Sequence, residues 1–389
     1  MKKIAFIATK FTVGGLEKSL LELIDIIDHT QYQITVFLPS ADGEWTHLLQ
    51  EKVNVIILEP ESFKFLVKKY FKEFNLIKLF RTLFFRVTAA ILSKRNYYKG
   101  LKYRVKSMTK YPEHFDIAVS YQVLDEYAIT NCLYRIDSNK KILWVHQRFN
   151  TMRPDLYNWY IDFDKVFCVS EHLKIQTQTM YPKLNDKTEV FYNIINPDKI
   201  KKLAEESPTE LKTHKTQFVL VTVGRLSLEK GQDKIPQIAH HLLKKGYNFI
   251  WYLVGDGPLE TEIKEKIQQY DVTDNVILCG RKDNPYPYIK NCDIYVQTSK
   301  KEGWGLTVSE AKILNKPIVT TDANVMSEQI ENRINGIITK NDSAEEIYKA
   351  IELLMVNADL RKSFVEVLKK QDVSKNNTKE IQKLYNLME

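Results

Sequence analysis

The chain has 389 residues, 44% of them apolar, with few glycines and prolines, so it is too long for one core and too apolar to be disordered. Its four cysteines are scattered, without a Cys-x-x-Cys pair or a neighbouring histidine set, which excludes a disulfide framework and structural zinc and fits a reducing compartment. Net charge is +8, yet fourteen Lys and Arg against the single acid Glu73 fall between Lys64 and Lys110; a basic character this local, with no recognisable binding module, excludes a general nucleic-acid role.

From the N-terminus, the apolar run in MKKIAFIATKF is five residues long and has no small-residue cleavage site, so it reads as a first buried strand rather than a leader. Strands are expected at Lys3–Ala8, Gln33–Leu38, Val53–Leu58, Asp116–Ser120, Lys141–His146, Lys165–Val169 and Glu189–Tyr192. In the second half they are expected at Phe218–Val223, Phe249–Val254, Val276–Cys279, Asp293–Gln297, Pro317–Thr320 and Gly336–Ile338. Helical patterns alternate with them, the rhythm of parallel α/β units, and unbroken runs such as FVLVTVG suit strands covered on both faces. The polar stretch from Asn196 to Thr216 carries two prolines between two strand patterns and reads as the connection between two doubly wound domains.

Residues 63–110 break that rhythm. Aromatic and aliphatic side chains from Phe65 to Phe85 interleave with lysines and arginines in an amphipathic helical pattern. Two readings are open and compatible: a helical pair packed on its own domain with a solvated face, or a surface lying against anionic lipid headgroups. Leu83–Leu92, the most apolar window, is broken by Arg86 and too short to span a bilayer, so a cytoplasmic protein is expected, soluble or held on a membrane surface.

Four clusters fall where a strand hands over to a loop and then a helix, the carboxyl-end crevice where open parallel sheets bind ligands. Thr12–Lys18, with Gly14 and Gly15, reads either as a plain turn or as a sharp glycine turn that lets backbone approach a ligand. In Val223–Gly231, Arg225 and Lys230 are two cations suited to a diphosphate or to a surface ion pair. In Val254–Leu259, Asp256 has no second carboxylate nearby and reads as a turn residue capping the next helix, not a metal ligand.

The fourth cluster, Ser299–Ala311, is the most informative. Glu302 lies on a glycine loop and Glu310 about one turn into a helix starting near Thr307, with Gly303 and Gly305 between them. The backbone N–H groups of Leu306 and Thr307 form an anion site at the helix start, flanked by two carboxylates able to accept sugar and ribose hydroxyls.

The block from Glu302 to Glu310 resembles the Glu-x7-Glu signature of retaining GT-B glycosyltransferases, the group 1, or family 4-like, enzymes. GGLEK after the first strand, GRLSLEKG, GDGPL and EGWGLTVSEA follow the same order, and the likeness covers the second half, the first loop and the His146 region. It implies an α/β GT-B fold of two Rossmann-like domains facing across a cleft that closes by a hinge. Residues 1–200 would form the acceptor-side domain, 201–375 the nucleotide-sugar domain, and 376–389 a helix crossing back to the first.

The resemblance also implies roles. Arg225 and Lys230 would hold the donor diphosphate and stabilise the leaving group, Glu302 would contact the donor sugar, and Glu310 would bind the ribose. The loop Gly280-Arg281-Lys282 would run beside the base, and Gly14 and Gly15 would let the first loop close over the diphosphate. His146 matches a histidine placed near donor sugar and acceptor. The implied reaction transfers a hexose-type sugar from a nucleotide-diphosphate sugar to a saccharide acceptor, with no metal and no cofactor; the basic aromatic segment Lys64–Lys110, taken with these motifs, leads to the expectation of a lipid-linked acceptor in bacterial surface polysaccharide assembly. Trp304, where the family often has Phe, Asn315, at a position frequently filled by glycine, and Gln147-Arg148 depart from the pattern; none removes a donor-binding group. A nucleotide-sugar epimerase and a catalytically degenerate binding or chaperone subunit are the competing readings, and a dehydrogenase is disfavoured by the lack of a full Gly-x-Gly-x-x-Gly.

Overall fold

Runs such as Ile4–Ala8 and Phe249–Val254 leave no polar face for water, and both become central strands of parallel sheets covered by helices. A computed structural model describes residues 1–58, 63–95, 97–123, 125–147, 157–207 and 217–389. Arg148 and residues 208–216 of the expected connection lie outside the described residues. The chain divides into two units, Met1–Ile194 with Asn377–Glu389, and Ile195–Asn376.

The first unit holds β1 (Lys2–Ile7), α1 (Gly15–Ile26), β2 (Tyr32–Leu38), α2 (Thr46–Gln50), β3 (Asn54–Ile57), α3 (Phe63–Lys72), α4 (Leu76–Ser93) and α5 (Tyr97–Lys106). It continues with β4 (His114–Ser120), α6 (Glu126–Tyr134), β5 (Asp137–Val145), α7 (Tyr157–Tyr160), β6 (Lys165–Cys168), α8 (Glu171–Met180) and β7 (Thr188–Val190). Its sheet runs β3-β2-β1-β4-β5-β6-β7, every pairing parallel.

The second unit holds α9 (Pro197–Leu203), β8 (Phe218–Val223), α10 (Ile235–Lys244), β9 (Phe249–Val254), α11 (Glu260–Gln269), β10 (Val276–Gly280), α12 (Tyr286–Lys290) and β11 (Ile294–Gln297). Then come α13 (Leu306–Ile313), β12 (Ile318–Thr321), β13 (Ile337–Thr339), α14 (Ala344–Val356) and α15 (Ala358–Lys369); α16 (Asn377–Asn386) returns to the first unit. The second sheet runs β10-β9-β8-β11-β12-β13, again all parallel. Each sheet starts at its centre, winds outward through three strands and resumes on the other side of its first strand. The switch points are therefore β1/β4 and β8/β11.

Every expected strand is present. One is longer than its apolar run: β5 begins at Asp137, because the polar residues Asp137–Lys140 pair with β4 while their side chains face solvent. The expected helical pair over 63–110 is three helices. Phe74, at φ 52°, ends the first segment, and Asn75 caps α4 by accepting the Lys78 N–H at 3.0 Å. Asn315 also sits in the left-handed region, at φ 54°, just past α13, where the Lys316 N–H reaches back to the Ala311 carbonyl at 2.9 Å. Asparagine tolerates that conformation better than other residues with a Cβ, so it can stand where glycine is common.

α16 is fastened to the first sheet by specific contacts. Tyr385 stacks on Tyr32 with ring centroids 4.4 Å apart and planes 6° apart, and its hydroxyl accepts the Asp28 N–H at 3.0 Å. The buried Glu380 accepts the Tyr192 N–H at 3.1 Å and Lys383 Nζ at 2.7 Å, while Lys383 also donates to the Val190 carbonyl at 2.7 Å. Tyr385→Phe should cost about 1 kcal/mol through the lost hydrogen bond. Tyr385→Ala, which also loses the stack, should cost more; thermal unfolding of both variants against the native chain checks the order.

Candidate functional site

The second sheet reverses its strand order between β8 and β11, and the loops leaving these two strands interlock. Thr298 Oγ1 donates to the Lys230 carbonyl at 2.8 Å, and the Lys300 N–H donates to the Glu229 carbonyl at 2.7 Å. Gly231 makes this approach possible: its φ is 69°, and a Cβ there would lie 2.3 Å from the Thr298 carbonyl oxygen. Over the junction Lys230 Nζ binds both oxygens of Glu302, at 2.7 and 2.8 Å. The Glu302 side chain is only 7% exposed, so its charge needs a full set of partners. Gln297 Nε2 donates to Glu302 Oε1 at 2.8 Å and Ser299 Oγ donates to the same atom at 2.6 Å.

Gln297 is itself held in place. The buried Tyr295 hydroxyl donates to its Oε1 at 2.8 Å, and Thr307 Oγ1 donates to the same oxygen at 3.3 Å. Burial pushes the Tyr295 phenol far above the ordinary range, with smaller additions from the charges of Glu310 and Glu302. Both carboxylates therefore lie within electrostatic reach of one neutral donor.

The loop after Glu302 ends at Gly305, whose φ of 87° takes the chain into α13. Gln329 fixes it from below: its Nε2 donates to the Trp304 and Gly305 carbonyls, and its Oε1 accepts Ser309 Oγ at 2.6 Å. Lys312, half-buried and with its pKa lowered by the loss of water around it, donates to the Gln329 carbonyl at 2.7 Å. Gly305 offers no side-chain cap, so the first N–H groups of α13, those of Leu306 and Thr307, are available to an anion. Glu310 is the fifth residue of this helix and is buried.

The structure thus brings Lys230, Glu302, Gly303, Gly305, Leu306, Thr307 and Glu310 into one neighbourhood at the β8/β11 switch point. Arg225 is exposed on the same loop as Lys230, and no hydrogen bond or ion pair among the described residues engages it. Gly280 ends β10 with its carbonyl accepting the Gly255 N–H at 2.9 Å; Arg281 follows, 4.0 Å from Asp256, and Lys282 is half-buried beside it. Asp256 corrects an expectation. The residue before α11 is Leu259, with no side-chain cap, and Asp256 faces Arg281 instead. No group of three His, Cys, Asp or Glu suited to a metal gathers among the described residues.

Gly14, Gly15 and His146 belong to the first unit. Of the two readings open at Gly14 the backbone favours the plain turn: its φ of −172° is extended backbone open to any residue, and Gly15 opens α1. What sets Gly14 apart is space, since a Cβ there would meet the Glu17 carboxylate at 2.5 Å. His146 follows β5 against Tyr121, 4.4 Å between ring centroids, and parallel to Trp144 at 6.0 Å. Its Nε2 is buried with no hydrogen-bond partner among the described residues, and burial lowers its pKa to about 3.

Tyr295, Gln297, Ser299 and Gln329 were not anticipated. A glutamine closing the apolar run IYVQ is the one signal for Gln297; Gln329 lies outside every motif and carries none.

Two parallel α/β domains with a charged, anion-ready junction at a strand-order reversal define a GT-B protein. Residues 204–371, which fall within the second unit, match the family of glycosyl transferases group 1. An uncharacterised glycosyltransferase of Methanocaldococcus jannaschii is 28% identical over 57% of this chain and 61% of its own length. The O-antigen biosynthesis glycosyltransferase WbnH of Escherichia coli is 22% identical over 90% of this chain and 89% of its own. Anabaena HepE, crystallised with UDP and glucose, superposes with a TM-score of 0.72 at 18% identity, covering 99% of this chain and all of that one. The first three curated relatives are matched over 61%, 62% and 53% of their own length.

Two outcomes follow. Gln297→Leu strands the Tyr295 hydroxyl and removes a donor from Glu302, so urea unfolding should report a loss of about 1–3 kcal/mol. Thr307→Val, which leaves Gln297 and its donation to Glu302 in place, should cost less. As pH falls below 6.5 the unfolded chain protonates His146 while the folded chain does not until about 3, so stability is lost with acidification across that window. Between pH 6.5 and about 4.5, above the carboxylate range, the thermal midpoint of His146→Phe should fall less steeply than that of the native chain.

Proposed function

We propose that the protein is a retaining glycosyltransferase. It moves a hexose-type sugar from a nucleotide-diphosphate donor to a saccharide acceptor carried on a lipid, at the cytoplasmic face of the membrane during surface polysaccharide assembly. The observation that carries the reading is the Lys230–Glu302 pair at the β8/β11 switch point, beside the uncapped start of α13 and the exposed Arg225. A diphosphate fits this place because Lys230 lies at the junction with the uncapped N-terminus of α13, and Arg225 is exposed on the same loop as Lys230. That HepE was crystallised with UDP and glucose, and that WbnH serves O-antigen biosynthesis, supports a nucleotide-sugar donor and a surface-glycan product.

In the proposed reaction the acceptor hydroxyl attacks the anomeric carbon on the face that the diphosphate leaves. The bond from that carbon to the phosphate oxygen breaks as the new glycosidic bond forms, and the hydroxyl proton passes to the departing phosphate. Arg225, Lys230 and the N–H groups of Leu306 and Thr307 stabilise the negative charge that develops. Glu302 orients the donor sugar and Glu310 the ribose. Gly280, Arg281 and Lys282 line the base.

Thermal stabilisation by a panel of UDP-, GDP- and ADP-sugars without metal tests this. One donor should raise the midpoint, Arg225→Ala and Glu310→Ala should abolish the shift, and Arg225→Ala should lower turnover by about 100- to 1,000-fold. No shift with any donor would instead favour a degenerate binding subunit.

A further inference from the structure

A helix of a water-soluble domain ordinarily buries one apolar stripe and shows polar residues on the other side. α4 does not. Thr82 and Ala89 are buried on the side that packs against α3 and α5, where Gly100 lets α5 approach so closely that a Cβ would lie 2.6 Å from the Ala89 carbonyl oxygen. The diametrically opposite side is apolar as well. Ile77, Phe80, Phe84, Val87 and Ile91 recur at intervals of three and four, form one row about 21 Å long, and are each 57–82% exposed.

The turn before α4 extends this row. Phe74 is 91% exposed and Phe71 70%. Phe74 adopts φ 52°, a conformation costly for a bulky side chain, so the backbone is strained where it projects an aromatic ring into solvent. Beside the apolar row, Lys64, Lys68 and Lys72 stand exposed at four-residue spacing on α3, with Lys78 and Arg81 on the first turns of α4. Glu73 is the only acid in the hairpin, and none of Lys64, Lys68 or Lys72 is paired with an acid among the described residues.

We propose that the α3–α4 hairpin is a membrane-docking surface, with α4 lying in the plane of an anionic phospholipid bilayer. The apolar row and Phe74 enter the boundary between headgroups and acyl chains, while the lysines reach the lipid phosphates. Charge selects this occupant: a second copy of the chain would bring two lysine rows together, whereas an anionic bilayer answers both the apolar row and the cations. No helix among the described residues is long and apolar enough to cross a membrane, so the contact is in-plane. The purpose of the surface rests on the proposed lipid-linked acceptor; the surface itself is tested without it.

The full chain is sedimented with vesicles of phosphatidylcholine alone and with about one-third phosphatidylglycerol, and UDP binding is followed separately by thermal shift. Anionic lipid should raise the partition coefficient by about tenfold or more. Phe80→Ser/Phe84→Ser and Lys68→Gln/Lys72→Gln should each lower it by a similar factor. All four side chains are exposed, so unchanged unfolding midpoints and an unchanged UDP response show that the variants fold. Equal binding to both vesicle types overturns the proposal, as does full binding by the serine variant. A concentration-dependent oligomer that the serine variant dissolves, without vesicle binding, overturns it in favour of a second copy. Vesicle binding without any nucleotide response leaves the surface standing and removes the transferase reading.

Discussion

The burial of the Glu302 carboxylate is the constraint around which the second unit is arranged. A carboxylate removed from water persists only if nearly all its hydrogen-bonding capacity is used. Lys230, Gln297 and Ser299 supply that capacity, and they come from two loops 72 residues apart in the chain. Only the pairing of β11 with β8 brings these loops together. The same pairing forces Gly231 against Thr298, so sheet order, glycine placement and ion pair are one structural statement.

The pair also sorts the charges of the site. Lys230 is matched by Glu302, and that match holds the 298–305 loop in the path that ends at the uncapped start of α13. Arg225 is exposed on the same loop as Lys230, and no hydrogen bond or ion pair among the described residues engages it. In the proposed reaction the diphosphate competes with Glu302 for Lys230, which couples phosphate binding to the carboxylate that orients the sugar. Gln297 and Gln329 matter because they keep Glu302 and the Trp304–Gly305 backbone in place whichever partner Lys230 has.

What was legible in the sequence followed from period and composition. Thirteen β-rich runs with helical patterns between them could settle only into parallel sheets, and the glycine and charge clusters marked the ends of the strands that now carry the site. Contacts made across the fold left no such trace. Gln297 looks like any polar residue closing a strand, and Gln329 acts on a loop 24 and 25 residues earlier in the chain. Of the two readings open at Gly14 the extended backbone favours the plain turn, a choice that glycine alone could not make. Asp256 misled because turn chemistry was weighed without knowing that Arg281 would stand nearby.

α4 shows a different limit of pattern reading. A helical period says that one side of a segment is apolar, but in α4 two opposite sides are, and no periodicity says which one the protein covers. The fold decides. In a doubly wound sheet the chain must return from the edge strand β3 to β4 beside β1, and α3, α4 and α5 make this crossover. It can therefore lengthen into three helices without disturbing the sheet register. The loops that leave β8 and β9 have less freedom, since a Cβ at Gly231, Gly255 or Gly257 would run into the backbone of a neighbouring loop. The exposed aromatics and lysines consequently accumulate where the architecture tolerates insertion, and the groups suited to the diphosphate where it does not.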